Sequence, residues 1–155
     1  MEIYNIEKLR GLNPCYDPLD ALPPEWEGTL FDIFFYEKHV PLIDRIWTAV
    51  RHETLSQKQM EELCLLICNE LNLNSFYTEI AQEGSKRLTV EKSKELRGRL
   101  NLEEVLGRVL FEMCYLDVRN SFHGLCKQIL DEGILEESLI EQLIGEFVQN
   151  KENYE

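Results

Sequence analysis

Long apolar runs are missing from this chain of 155 residues. Nowhere do the roughly eighteen consecutive apolar residues of a membrane-spanning helix occur, so no membrane partner is expected. The opening Met1-Glu2-Ile3-Tyr4 has no basic stretch followed by an apolar one, so a secretory leader is not expected either. A glycine-rich loop ending in Lys-Ser or Lys-Thr is absent, and with it the common cradle for nucleotide phosphates. No segment alternates apolar and polar residues as a half-buried strand does, which leaves an all-α class. Positive charge is scarce: 16 Lys and Arg stand against 29 Asp and Glu, a net charge of -13. Such a surface repels nucleic-acid phosphates and favours basic partners. The five cysteines are an odd count, which fits free thiols in a reducing cytoplasm better than a disulfide framework.

What is present is an ordinary globular mixture, 44% hydrophobic and 29% charged. The length suits one helical domain over 1–150, with 151–155 as a frayed tail. Charge is unevenly spread. Asp131 to Glu155 holds eight acids and one base, whereas Lys86, Arg87, Lys92, Lys94, Arg97 and Arg99 form a basic strip interrupted by two acids. The strip pairs with the protein's own acidic surface more readily than with phosphate.

Along the chain, the spacing predicts a compact bundle of six to eight helices with an ordered proline-rich loop near the N-terminus. Ile3, Ile6 and Leu9 form one short helix with Gly11 near its C-cap. Residues 12–27 hold Pro14, Pro18, Pro23 and Pro24, so no regular helix or central strand runs through them. Leu12, Tyr16, Leu19, Leu22 and Trp26 supply enough apolar area to dock that loop. Trp26 is its expected anchor, with the indole N–H reaching a loop carbonyl.

Thr29 caps a second helix whose Leu30, Phe31, Ile33, Phe34 and Phe35 are apolar nearly all round. Pro41 fits the first turn of a third, with Leu42, Ile46, Ala49 and Val50 on one face. Ser56 and Gln59 form a capping box before Met60, Leu63, Cys64, Ile67, Cys68 and Leu71. Further helices are expected from Phe76 to Gly84, from Thr89 to Leu100 and from Leu102 to Met113. Asn120-Ser121 interrupts the pattern, Phe122 to Leu130 resume it up to Gly133, and Ile134 to Val148 close it.

One stretch is too specific for simple amphipathic patterning. It runs Cys15-Tyr16-Asp17-Pro18, Trp26-Glu27-Gly28-Thr29, Asp32-Ile33 and Asp44-Arg45-Ile46-Trp47 with Arg51. This order resembles the N-terminal pattern of a group of small uncharacterised proteins of phages and bacterial genomes. The resemblance implies an origin in a phage or mobile element and no particular activity. Many members of that group continue with an alanine- and arginine-rich helical half, which this chain replaces with Lys86 to Glu155.

Within the fingerprint, Tyr16, Asp17, Trp26, Asp44, Arg45, Trp47 and Arg51 are the candidates for clamping the loop or binding a partner. Asp44 and Arg51 are seven apart, two turns on one helix face, and are expected to hold the loop through Asp17 or Asp32. Cys64 with Cys68, and His123 with Cys126, have helical spacings that suit zinc ligands. The two cysteines of the first pair also lie on an apolar stripe, where cysteine serves as a small hydrophobe. His123 with Cys126 lacks the orienting group and oxyanion site of thiol catalysis. No catalytic residue and no cofactor are assigned. The expectation is a cytoplasmic protein that binds a protein partner of basic character, in an inhibitor, anti-defence or immunity-like role. A zinc-dependent enzyme or sensor and an oligomeric structural protein are the alternatives.

Overall fold

Asn5 decides where the first helix begins. In the computed structural model, which describes residues 2–71 and 118–154, its Oδ1 accepts a hydrogen bond from the Lys8 N–H at 2.9 Å. The asparagine is thus an N-cap, and α1 spans Ile6–Gly11. The three-residue repeat from Ile3 overreaches: Ile3 is exposed, and Tyr4–Asn5 is a strand, β1. It pairs antiparallel with β2, Glu27–Gly28, setting Tyr4 opposite Gly28 and Asn5 opposite Glu27. The left-handed residue past α1 is Asn13, at φ 54°, and not Gly11. Asparagine tolerates that region through its short polar side chain.

The proline-rich stretch contains one turn of helix, α2, Pro18–Ala21. Pro18 occupies its first position, where a missing N–H costs nothing, and Asp17 caps it by accepting from the Leu19 N–H at 3.0 Å. Leu22 and Trp26 are buried, whereas Leu19 stays exposed. Both join Tyr4, Ile6, Leu9, Leu30, Ile33 and Val40 in one apolar cluster.

Thr29 opens α3, Leu30–Tyr36, with a reciprocal capping box: Thr29 Oγ1 accepts from the Asp32 N–H, and Asp32 Oδ2 accepts from the Thr29 N–H at 2.7 Å. Leu30, Phe31, Ile33 and Phe34 are all buried, as a helix apolar all round requires. Pro41 leads into α4, Leu42–Ala49, which packs against α3. Arg45 is buried between them and binds two main-chain carbonyls, Val40 at 2.8 Å and Phe34 at 3.2 Å.

The chain's contacts divide it into two compact units, Met1–Ser56 and Gln57–Glu155. In the second, α5 spans Gln57–Glu70, α6 spans Arg119–Asp131 and α7 spans Glu137–Gln149. Met60, Leu63, Cys64, Ile67 and Cys68 of α5 are buried, as are Phe122, Leu125, Cys126 and Ile129 of α6 and Ile140, Ile144 and Phe147 of α7. Asn120 and Ser121 sit in the first turn of α6, where polar residues are well tolerated, and do not break it. Gly133, at φ 65°, ends α6 in a Schellman motif: its N–H bonds Leu130 O and the Ile134 N–H bonds Ile129 O.

A frayed end is expected from 151, yet Lys151–Tyr154 forms a 3₁₀ helix against α5. Among the described residues, an aromatic stack and a hydrogen bond hold it. Tyr154 stacks on Phe147 with ring centroids 4.6 Å apart, and the buried Gln59 amide donates to Lys151 O at 3.1 Å. Among the described residues there are seven α-helices and a single two-residue strand pair, so the class is all-α. Among the same residues, no helix is long and apolar enough to cross a membrane. The helices expected between Phe76 and Met113, and the basic strip from Lys86 to Arg99, lie outside the described residues.

Candidate functional site

The fingerprint residues separate into a clamp and a groove. The clamp is built on α4, where the half-buried Asp44 and the buried Thr48 are one turn apart. Thr48 Oγ1 donates back to Asp44 O at 3.2 Å, and the Tyr16 hydroxyl meets Thr48 Oγ1 at 2.8 Å. The Tyr16 ring stands edge-on to Trp47, with centroids 6.3 Å apart. Arg51 lies beyond the end of α4 and not on it. Its guanidinium covers the other part of Trp47, 3.9 Å from the ring centroid, while Nε donates to Trp47 O at 2.8 Å. Cys15 Sγ points to Asp44 Oδ1 at 3.6 Å.

These contacts explain the electrostatics of the clamp. Partial withdrawal from water, and then the Asp44 carboxylate, push the Cys15 thiol up to about 11, against a smaller opposing pull from Arg51. Burial likewise raises the Tyr16 phenol. At neutral pH both groups are protonated and serve as hydrogen-bond donors, not as nucleophiles.

The loop is therefore clamped through Cys15 and Tyr16, not through Asp17 or Asp32. Those two carboxylates are spent on helix capping at α2 and α3, and Asp17 also pairs with Arg10 at 3.4 Å. Arg45 fastens the α3–α4 turn through its bonds to Val40 O and Phe34 O. The partners Cys15 and Thr48 carry a signal in retrospect. Cys15 begins the Cys-Tyr-Asp-Pro element, and Thr48 follows Asp44 by four residues, on the same helix face.

The groove, of about 410 Å³, opens between the start of α1 and the segment before β2. Ile6 and Trp26, both buried, form its floor with Pro24 beside them. Glu7, Glu25 and Glu27 line its exposed sides, joined by Asn5 and Arg10. Arg10 is already engaged with Asp17, so carboxylates dominate the rim. No spacing in the sequence marks these three glutamates as neighbours, because the β1–β2 pairing brings them together.

Trp26 Nε1 donates to Glu37 Oε1 at 3.1 Å, a carboxylate and not the loop carbonyl expected for it. Gly28 makes room for that indole: a Cβ there would lie 2.9 Å from Trp26 Cζ2 and 3.0 Å from Asp32 Oδ2.

Cys64, Cys68 and Cys126 are fully buried, and loss of water raises all three thiols well above the usual range. They act as apolar core residues, and His123 on α6 is half-buried. Among the described residues, no group of three His, Cys, Asp or Glu side chains is arranged to hold a metal ion. No protein-family model, curated protein or solved structure matches the chain.

Proposed function

We propose that this is a cytoplasmic protein of phage or mobile-element type that works by binding a protein partner, in an inhibitor, anti-defence or immunity-like role. The observation that carries this reading is the groove of Glu7, Glu25 and Glu27 over Ile6, Pro24 and Trp26. A lysine or arginine side chain has an apolar stem and a cationic head, and the groove offers an apolar floor beneath an anionic rim. The net charge of -13 draws the same class of partner from a distance. Because the carboxylates are exposed, they govern encounter rate and partner choice more than tightness.

The test is co-purification from host lysate with the wild-type chain and with a Glu7→Gln/Glu25→Gln/Glu27→Gln variant. The reading predicts a stoichiometric partner with basic segments, released by salt from the wild type and missing from the variant. Equal recovery by both chains, or a turnover activity with no partner, contradicts it.

A further inference from the structure

The turn after α3 carries two titratable side chains that reach the proline-rich segment. Glu37 Oε1 accepts from Trp26 Nε1 at 3.1 Å, and Glu37 Oε2 lies 3.6 Å from His39 Nδ1. The opposite ring nitrogen, His39 Nε2, bonds the main-chain carbonyl of Ala21, the last residue of α2. The imidazole thus stands between two acceptors, a carboxylate and a carbonyl.

A neutral imidazole has one N–H, so whichever nitrogen carries it, the other turns a lone pair toward an oxygen. The imidazolium, with an N–H on each side, keeps the bond to Ala21 O and sets a positive charge 3.6 Å from the Glu37 carboxylate. We infer that Glu37 and His39 form a pH-sensitive latch, which fastens α2 and Trp26 to the α3–α4 turn when His39 is protonated and loosens when it is not. The charged group facing the ring is Glu37. Asp20 precedes Ala21 on α2 and Lys38 precedes His39 on the turn, while Trp26, from the third packed segment, brings no charge. Histidine side chains in general change charge between about pH 5 and 8, which sets the range that the test covers. It bears on the groove because Trp26 is part of the floor, but it needs no occupant there.

The test uses the full chain without any ligand, so it stands apart from partner binding. The indole N–H resonances of Trp26 and Trp47 are followed by nitrogen–proton NMR as pH is raised through this range. The Trp26 signal is expected to shift in a single-proton transition that coincides with titration of the His39 ring, while Trp47 does not follow it. In His39→Gln the Trp26 transition is lost. In Glu37→Gln, which keeps an oxygen for the indole, most of its amplitude is lost. A Trp26 transition that survives in His39→Gln overturns the latch. So does a wild-type Trp26 signal that stays flat, or one that moves out of step with the His39 ring; that reading requires no variant to fold.

Discussion

Tyr16 and Thr48 stand 32 residues apart and share a hydroxyl–hydroxyl hydrogen bond of 2.8 Å. Thr48 gives its proton to Asp44 O, so the Tyr16 O–H is the donor to Thr48. Tyr16→Phe removes that one bond and is expected to cost about 1 kcal/mol. Thr48→Val strands a half-buried Tyr16 hydroxyl without its acceptor, so its expected cost is larger, about 1–3 kcal/mol. Urea unfolding of both variants checks the order, and a Thr48→Val variant as stable as wild type contradicts the clamp.

Trp26 and Glu27 are neighbours with separate consequences. Trp26 is buried in the cluster with Leu9 and Ile33, so Trp26→Ala is expected to cost roughly 3–5 kcal/mol. Glu27 is exposed, and Glu27→Ala should leave the melting temperature near wild type. Gly28→Ala drives a methyl toward the indole and Asp32, at an expected cost of about 1–3 kcal/mol. Thermal unfolding of the three variants tests this docking of the segment.

Cys15 is exposed as a residue, yet partial withdrawal from water, and then the Asp44 carboxylate, push its thiol up to about 11. Iodoacetamide at pH 8 should therefore alkylate it about ten- to a hundredfold more slowly than an ordinary exposed cysteine. Because folding raises this value, the contribution to stability is fully present below the ordinary thiol range and is lost as pH rises toward 11. Asp44→Asn should recover part of the reactivity, since withdrawal from water is the larger cause. Mass-spectrometric labelling rates decide this, and a Cys15 as reactive as a free thiol contradicts the geometry.

Tyr154 closes the second unit against Phe147. Tyr154→Ala removes a stacked aromatic pair, whose geometry is worth about 0.5–1.5 kcal/mol beyond the area it buries. Removing 151–155 also takes away the carbonyl that receives the buried Gln59 amide, and should cost more than the point substitution. Chemical denaturation of the two variants orders them, and equal stability to wild type in both shows the C-terminal turn to be undocked.

Much of the first unit was legible because its signals are local. Thr29 with Asp32 reads as a capping box, Pro41 as a helix start, and Leu30 to Phe34 as a helix buried on several sides. The clamp was half legible: Tyr16, Asp44, Trp47 and Arg51 carry unusual residues in a fixed order. Which carboxylate meets which partner was not readable. Asp17 and Asp32 fall at helix starts only once the exact boundaries are known, and capping then claims both. The strand pair was hidden because two residues are too short for any alternation to show. The groove was hidden for the same reason, since that pairing brings Glu7 beside Glu25 and Glu27. Tyr154 looked like a loose end because its partner, Phe147, reads as ordinary core of the last helix.

The central claim, that the groove receives a basic segment of a partner protein, is tested most directly by site-specific photo-crosslinking. A photoreactive residue is placed at Glu25 on the groove rim and, in a second chain, at Tyr36, which is 76% exposed and is not part of the groove. Crosslinked peptides are then mapped by mass spectrometry. The account predicts one partner joined to the Glu25 position through a stretch rich in Lys and Arg, with little yield at Tyr36. Crosslinks that favour Tyr36, or a Glu25 product joined to an acidic or apolar segment, contradict it.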